Sequence, residues 1–349
     1  MWHHAGTDSA GGTVAITIKD VADAAGVSTA TVSRALRGLP NVDASTRERI
    51  QKIALDLDYV ISPSASRLAS GRTGSIAVIT PYIARWYFST VLSGVESVLQ
   101  SAGIDLLLMS VSTPEGQHRL PPAPRLRRRV DGALVIALSP RDAQLQEVLD
   151  LGLPTSLIGL TMPGVPSVTI DDVMAGRMAT QHLINLGHER IGVITGAAVG
   201  SPFTAETDRY RGFEAAMKDA GIAIDPMLEA YGYFTIPGGE QAMTALLTQR
   251  KPPTAVFAMS DEMAFGAIRA MRSHGLQPGR DISIVGVDGH DMSELLDLST
   301  VAQPVPDLGR IAAEALLLQL RSPGTESAAE EIHLPTRLIV RSSTRPYAP

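Results

Sequence analysis

From Ser75 onward, short β-rich runs alternate with amphipathic helical stretches, and few folds accommodate that alternation. Strands are predicted over residues 75–80, 105–110, 132–137, 156–159, 190–195, 254–258 and 282–287. Helical spacing lies between most of them, for example over 173–186, 208–220 and 261–274. Continuous apolar strands joined by helical crossovers must be covered on both faces, which is the condition of a parallel sheet. About 275 residues are too many for one such sheet, so two α/β lobes are expected, with a ligand cleft at the carboxyl ends of their strands.

Upstream the pattern differs. Residues 17 to about 59 read as three short helices. Thr17 is placed to cap the first, with Asp20 in its first turn. Val21, Ala22 and Ala25 form its apolar side, and Gly26 ends it. Ser28 caps a second helix over 29–36, stopped by Gly38 and Pro40. Asp43 caps a third, where Ile50, Ile53, Ala54 and Leu57 recur at helical spacing. Two helices across a tight glycine turn, braced by a third, make a helix-turn-helix. Val21, Val27, Val32 and Leu36 belong to its core. Residues 62–74 are small and polar, a linker by composition, although 65–69 contain no helix breaker.

Charge narrows the partners. Net charge is −6, but residues 1–72 hold eight Lys/Arg against seven Asp/Glu, while the remainder holds 22 against 29. Nucleic acid would therefore have to meet a local face of the first segment rather than a general basic field. No cysteine is present, which excludes disulfides, thiol nucleophiles and cysteine zinc sites. No apolar run approaches the ~18 residues of a membrane span, and the first twenty residues lack the basic start and apolar block of a secretory signal. No P-loop, dinucleotide fingerprint, nucleophile elbow or HExxH motif appears, so no enzyme, cofactor or metal is expected. His3 and His4 lie in a loose tail; Asp288, His290 and Asp291 read as a polar loop after a strand. Arg125, Arg127, Arg128 and Arg129 read as a solvated helix end.

Residues 17–34, TIKDVADAAGVSTATVSR, followed by TRERI at 46–50 and Asp58-Tyr59, resemble the opening of the lactose/galactose repressor family of bacterial regulators. VDG at 130–132, GHERI at 187–191, RYRGF at 209–213, SDEMA at 260–264, VGVD at 285–288 and the closing LIVRSST at 338–344 extend the likeness to nearly the whole chain. It implies a two-lobed α/β core of Rossmann-like parallel sheets, similar to periplasmic binding proteins, behind an all-α helix-turn-helix domain. The implied boundaries are a tail at 1–16, a DNA-binding headpiece at 17–61, a hinge helix or linker at 62–74 and an effector-binding, dimerising core at 75–349. Lobe one would take about 75–170 and 304–333, lobe two about 171–302 and 334–349, with crossings near Asp171, Gln303 and Leu334. The resemblance also implies a cytoplasmic homodimer that binds palindromic double-stranded operator DNA, usually to repress, under a small sugar-like effector. The rival reading, a periplasmic-type sugar-binding protein with no regulatory role, leaves the headpiece without a purpose.

Candidate contacts follow. A recognition helix presents short or polar side chains at its N-terminal end to base edges. Here these are Ser28, Thr29, Ala30, Thr31 and Ser33, with Arg34 one turn on. Thr29 and Ala30 resemble the family's base-reading pair; Arg34 has the fork for guanine, worth about 1–3 kcal/mol of discrimination, or for a phosphate clamp. Lys19, Asn41 and Thr46 resemble backbone contacts. Leu68, with Ala65 on the same face, resembles the hinge wedge that enters the minor groove. In the core, the aromatic run Trp86, Tyr87 and Phe88 cannot all face one interior, so part of it should line the cleft. By resemblance Asp171, Arg209, Phe234, Ser260 and Asp288 complete the effector site. Ser260 stands where the family usually places Asn, which leaves room for a bulkier ligand group.

Overall fold

The computed structural model describes residues 16–59, 72–111, 123–140, 143–196, 204–321 and 330–348. The tail, and Ala65 and Leu68 of the expected hinge, lie outside these residues. The chain divides into two compact units, residues 1–73 and 74–349.

In the first unit, α1 (Ile18–Ala25), α2 (Thr29–Leu36) and α3 (Ala44–Asp56) each begin at the predicted cap position. The Asp20 carboxylate accepts from both the backbone N–H and the hydroxyl of Thr17, each at 2.7 Å. Ser28 accepts the Thr31 N–H at 3.2 Å, and Asp43 accepts the Thr46 N–H at 2.9 Å. Gly26 closes α1 in the left-handed region, at φ 63°, where a side chain would be strained. Val21, Val32, Ala35 and Ile50 are fully buried between the three helices, and Val27 and Leu36 pack against them.

The second unit holds two six-stranded sheets among its described residues. The first combines β1 (Ser75–Thr80), β2 (Asp105–Ser110), β3 (Gly132–Ile136), β4 (Thr155–Ile158), β5 (Ser167–Ile170) and β11 (Glu331–Leu334), in the order β11-β5-β4-β3-β1-β2, all parallel. The second combines β6 (Ile191–Thr195), β7 (Glu229–Tyr231), β8 (Ala255–Ala258), β9 (Ser283–Asp288), β10 (Ser299–Ala302) and β12 (Arg337–Ile339), in the order β12-β10-β9-β8-β6-β7. Only its β10–β12 pair is antiparallel.

Helices α4 (Trp86–Ser101), α5 (Ala123–Arg127), α6 (Ala143–Leu149) and α12 (Val305–Arg321) accompany the first sheet. Helices α7 (Asp172–Asn185), α8 (Thr204–Asp219), α9 (Ile236–Leu247), α10 (Asp261–Ser273) and the single-turn α11 (Met292–Leu295) accompany the second. The chain thus leaves the first sheet after Ile170, returns between Ala302 and Val305, and leaves again between Leu334 and Arg337. Every residue of β3, β4, β5 and β9 is buried, as strands covered on both faces must be.

The helices pair closely through glycine. A Cβ at Gly94 of α4 would overlap the Pro306 carbonyl of α12, and a Cβ at Gly176 of α7 would overlap the Arg209 carbonyl of α8. These crossings set how deep each helix sits, and the second one seats the helix that carries Arg209.

Several elements depart from expectation. β5, β7, β10 and β11 are not among the strands predicted from sequence. β5 and β10 carry Ser and Thr at buried positions, which blurs the apolar run that marks a strand. The first turn of α8 begins at Thr204 instead of Asp208. The closing strand is confined to Arg337–Ile339; beyond it the backbone is fixed by side chains, with Ser343 accepting the Ser299 N–H at 2.8 Å and donating to the Ile284 carbonyl at 2.6 Å.

Candidate functional site

The first unit offers an exposed helix. Val32 and Ala35 turn α2 inward, which leaves Ser28, Thr29, Ala30 and Arg34 exposed and Thr31 and Ser33 half-buried. The Ser28 and Thr31 hydroxyls lie 2.9 Å apart, so the cap also ties down the first turn of this face. Ser33 is held by Arg37, whose guanidinium bonds both its hydroxyl and, at 3.1 Å, its carbonyl. That clamp was not expected from sequence. Arg34 makes no ion pair or side-chain hydrogen bond among the described residues, so its fork is open to a partner. Lys19 is exposed beside the α1 cap. Asn41 is exposed in the left-handed region at φ 69°, and Thr46 is half-buried on the first turn of α3. Arg47 braces the intervening loop, donating to the Leu39 carbonyl at 2.8 Å.

The second unit encloses a pocket between its two sheets. It holds roughly 740 Å³ including its open mouth. Tyr87, Phe88, Ile170 and Leu308 bring apolar surface from the first lobe; Arg209, Phe234, Ser260, Glu262 and Asp288 come from the second. Tyr87 and Phe88 meet edge to face at 5.2 Å between ring centroids, and Tyr82 meets Phe88 likewise at 5.6 Å. Burial pushes the Tyr87 hydroxyl well above the usual phenol range, so it stays protonated and able to donate.

Arg209 organises the polar side. It is only 5% exposed, and two of its three guanidinium nitrogens are engaged: Nε donates to Asp172 Oδ1 at 2.8 Å, Nη1 donates to the Met259 carbonyl at 2.5 Å, and Nη1 lies 3.5 Å from Asp288 Oδ1. Gln303, on the crossing between lobes, donates to Asp288 Oδ1 at 2.7 Å. Asp288 itself sits at the end of β9 with φ 130°, a strained value for a residue with a side chain, and of the kind that clusters at functional sites. Burial raises its pKa, and Arg209 opposes that rise. Behind it Asp261, fully buried, accepts from the His290 N–H, the Ser293 hydroxyl and the Thr300 hydroxyl, each at 2.8 Å. Burial, reinforced by Asp288, raises the Asp261 pKa as well.

Two expectations need correction. Asp171 does not line the pocket. It is exposed and caps α7, accepting the Met174 N–H at 2.8 Å, while the next residue, Asp172, points to Arg209. A helix N-terminus needs an oxygen at its cap, and that demand takes the first of the two adjacent carboxylates. Trp86 also stays out of the lining. Its ring stacks on His290 of the opposite lobe at 4.5 Å, and its indole N–H donates to Asp291 at 3.3 Å. Tyr87, Phe88, Arg209, Phe234, Ser260 and Asp288 are brought together. Ser260 Oγ caps α10, accepting the Met263 N–H at 3.3 Å, which leaves its hydroxyl hydrogen for a ligand. Asp172, Glu262, Gln303 and Arg85 were missed. Of these only Asp172 had a signal, as the second of two carboxylates at a helix start. Among the described residues, no group of three or more His, Asp or Glu could hold a metal ion.

A three-helix unit with an open second helix, on one chain with two α/β lobes around a pocket, defines the class of two-lobed helix-turn-helix regulators. Residues 17–62 match the family described as bacterial regulatory proteins, lacI family, and residues 180–344 match the periplasmic binding protein-like domain. The chain is 35% identical over 338 residues to the HTH-type transcriptional repressor CytR of Escherichia coli strain K12, covering 95% of this chain and 97% of that one. The crystal structure of the Lac repressor dimer bound to operator and the anti-inducer ONPF superposes with a TM-score of 0.83 at 26% identity, covering 95% and 99%. A complex of the transcriptional regulator CelR with cellobiose gives 0.68 at 31% identity, covering 94% and 99%. The chain belongs to the lacI family of bacterial regulatory proteins.

Proposed function

We propose that this protein is a cytoplasmic transcriptional repressor whose homodimer grips a palindromic operator through residues 17–61 and is controlled by a small, uncharged, sugar-like effector bound between its lobes. The observation that carries the reading is Arg209, buried and bridged to Asp172 and Asp288 on the wall of an interlobe pocket, in a chain whose residues 17–62 match a regulatory family. A binding protein without regulatory role leaves that match unexplained. Thr29, Ala30 and Arg34 are the proposed base readers, with Ser28, Thr31 and Ser33 at the groove and Lys19, Asn41 and Thr46 on phosphates. Ala65 and Leu68 enter as the hinge contact on the strength of the resemblance alone.

The pocket's charges support an uncharged effector. Asp172, Glu262 and Asp288 outnumber Arg85 and Arg209, and Arg209 is already neutralised by two carboxylates. A phosphate or carboxylate would meet net repulsion, whereas ring hydroxyls can donate to Asp288 and Glu262 and accept from Arg209, while a sugar's apolar face lies on Tyr87 or Phe234. The Lac repressor structure holds an operator and the CelR structure a disaccharide; for this chain both partners are proposals. Effector binding that changes lobe closure alters the hinge exits, and a coupling of about 1–3 kcal/mol changes operator affinity ~5- to 150-fold.

Two assays test this. Selection of duplexes from a random pool by the full-length protein should enrich a palindrome; no enriched sequence sinks the DNA reading. A thermal-shift screen should find a neutral sugar or nucleoside that raises the melting temperature, with sugar phosphates inactive and the shift lost in Asp288→Ala. A shift that survives Asp288→Ala puts the effector elsewhere.

A further inference from the structure

The arginine run at the end of α5 is absorbed by neither the headpiece nor the pocket. Leu126 and Val130 are each 1% exposed and anchor the segment in the first lobe, so Arg125, Arg127, Arg128 and Arg129 are turned out to solvent. None of the four makes an ion pair or a side-chain hydrogen bond with any described residue. The turn that presents them is fixed, with the Arg129 and Val130 N–H groups both donating to the Leu126 carbonyl at 2.9 and 3.2 Å. Four uncompensated guanidinium groups within five residues form a local exception on a unit that is acidic overall.

Their position is specific. The run feeds directly into β3, whose Gly132 pairs in parallel with Ile76 of β1. The Asp131 N–H donates to the Ser75 carbonyl at 2.8 Å, and the Asp131 carboxylate accepts the Gly74 N–H at 2.7 Å. Arg129 therefore stands one strand over from the point where the chain arrives from the DNA-binding unit. The covalent chain from Tyr59 to Gly74 spans at most about 50 Å. Whatever operator residues 17–61 hold, that tether sets the farthest this end of the first lobe can lie from them.

We infer that Arg125, Arg127, Arg128 and Arg129 form a second, sequence-independent DNA contact, a clamp on the phosphates that flank the operator. The inference rests on the DNA-binding reading above. Guanidinium forks match phosphate oxygens pairwise and need no base information. Such a clamp adds affinity for DNA longer than the two half-sites, and adds salt dependence with it.

The test uses the full-length protein and the palindrome selected from the random pool, in duplexes of about 20 and about 60 base pairs, the shorter just covering two half-sites a helical turn apart. The slope of log affinity against log salt should be steeper on the long duplex, by about 1.8 if one arginine per protomer engages a phosphate and by up to about 7 if all four do. The combined variant Arg125→Gln, Arg127→Gln, Arg128→Gln, Arg129→Gln should give the shorter duplex's slope on both lengths. It should bind the short duplex as the natural protein does, with an unchanged melting temperature. Equal slopes for the natural protein on both lengths overturn the inference without recourse to any variant. A length effect that survives in the variant overturns it too, since the extra contact then lies elsewhere. Failure to bind either duplex at any salt overturns the DNA-binding reading itself.

Discussion

The capping carboxylates of the first unit and the pocket carboxylates of the second behave in opposite ways. In the first unit Asp20 and Asp43 are exposed, and donors at helix starts hold their pKa values below the usual carboxylate range: chiefly the Thr17 side chain for Asp20 and the Thr46 side chain for Asp43. In the second unit Asp261 and Asp288 lie buried at the ends of helices and strands, and burial raises both. One unit spends its carboxylates on local structure, where water still screens them. The other also stores charge in its interior, at Asp261 and Asp288, where each group needs a partner and a changed partner is felt at once. The pocket between the lobes depends on this second kind.

That contrast breaks most severely at Arg209. Arg209→Ala strands Asp172 and Asp288 side by side without a cation, and loss of one member of a buried ion pair costs about 3–5 kcal/mol. Urea unfolding of the core should show a loss of that size, the effector-induced thermal shift should vanish, and the unfolding of residues 17–59 should not change. An unaltered core midpoint would mean that the ion network is not structural.

Paired glycine substitutions sharpen it. Gly176→Ala and Gly94→Ala each force a helix pair apart, at about 1–3 kcal/mol of overpacking. Gly176→Ala also displaces Arg209, so it should weaken effector binding at least tenfold, while Gly94→Ala lowers stability alone. Equal effects on binding would show that both lobes contribute polar positioning.

Acidity separates the units by sign. A raised carboxylate binds its proton more tightly in the folded state, so the Asp261–Asp288 contribution is most favourable at low pH and is lost as pH rises through the raised values. A depressed carboxylate contributes fully above the usual range and is lost as pH falls below it. From pH 8 to 5 the core should therefore gain stability from this source, with the gain reduced in Asp288→Asn; below pH 4 the three-helix unit should fray first, as followed by amide exchange. A smaller effect of the same local kind is expected at Ser28→Ala, which removes the α2 cap at about 1 kcal/mol and should weaken operator binding without touching the effector. Smallest of all, Trp86→Phe keeps the stack on His290 but loses the hydrogen bond to Asp291, and should shift effector affinity by about twofold, roughly the value of one exposed hydrogen bond.

Much of the site was open to sequence reasoning, and what was missed has identifiable causes. Ser28, Asp43 and Gly26 announce their helix boundaries because capping is decided within four residues. The strands of 75–80 and 105–110 are found because they are long and apolar. β7 is three residues long, and β10 is half hydroxylic, so neither stands out from a loop. Arg209, Phe234 and Asp288 were identified as site residues through family resemblance rather than through any local pattern. The two errors, Asp171 and Trp86, share a cause: each has a neighbour of like chemistry, and only the helix phase tells which of the two turns into the pocket.

From residue order alone followed the three capped helices, the parallel α/β architecture, the absence of thiol chemistry and the local character of the DNA-reading face. These rest on interactions a few residues apart, or on composition, and both are present in the linear chain. The tertiary arrangement settled which carboxylate meets Arg209, that Gln303 at a lobe crossing holds Asp288, and that four arginines stand beside the point where the chain enters the core. Those facts join residues 15 to 57 positions apart, through sheet register and helix crossings, and burial then fixes the charge of the pocket groups.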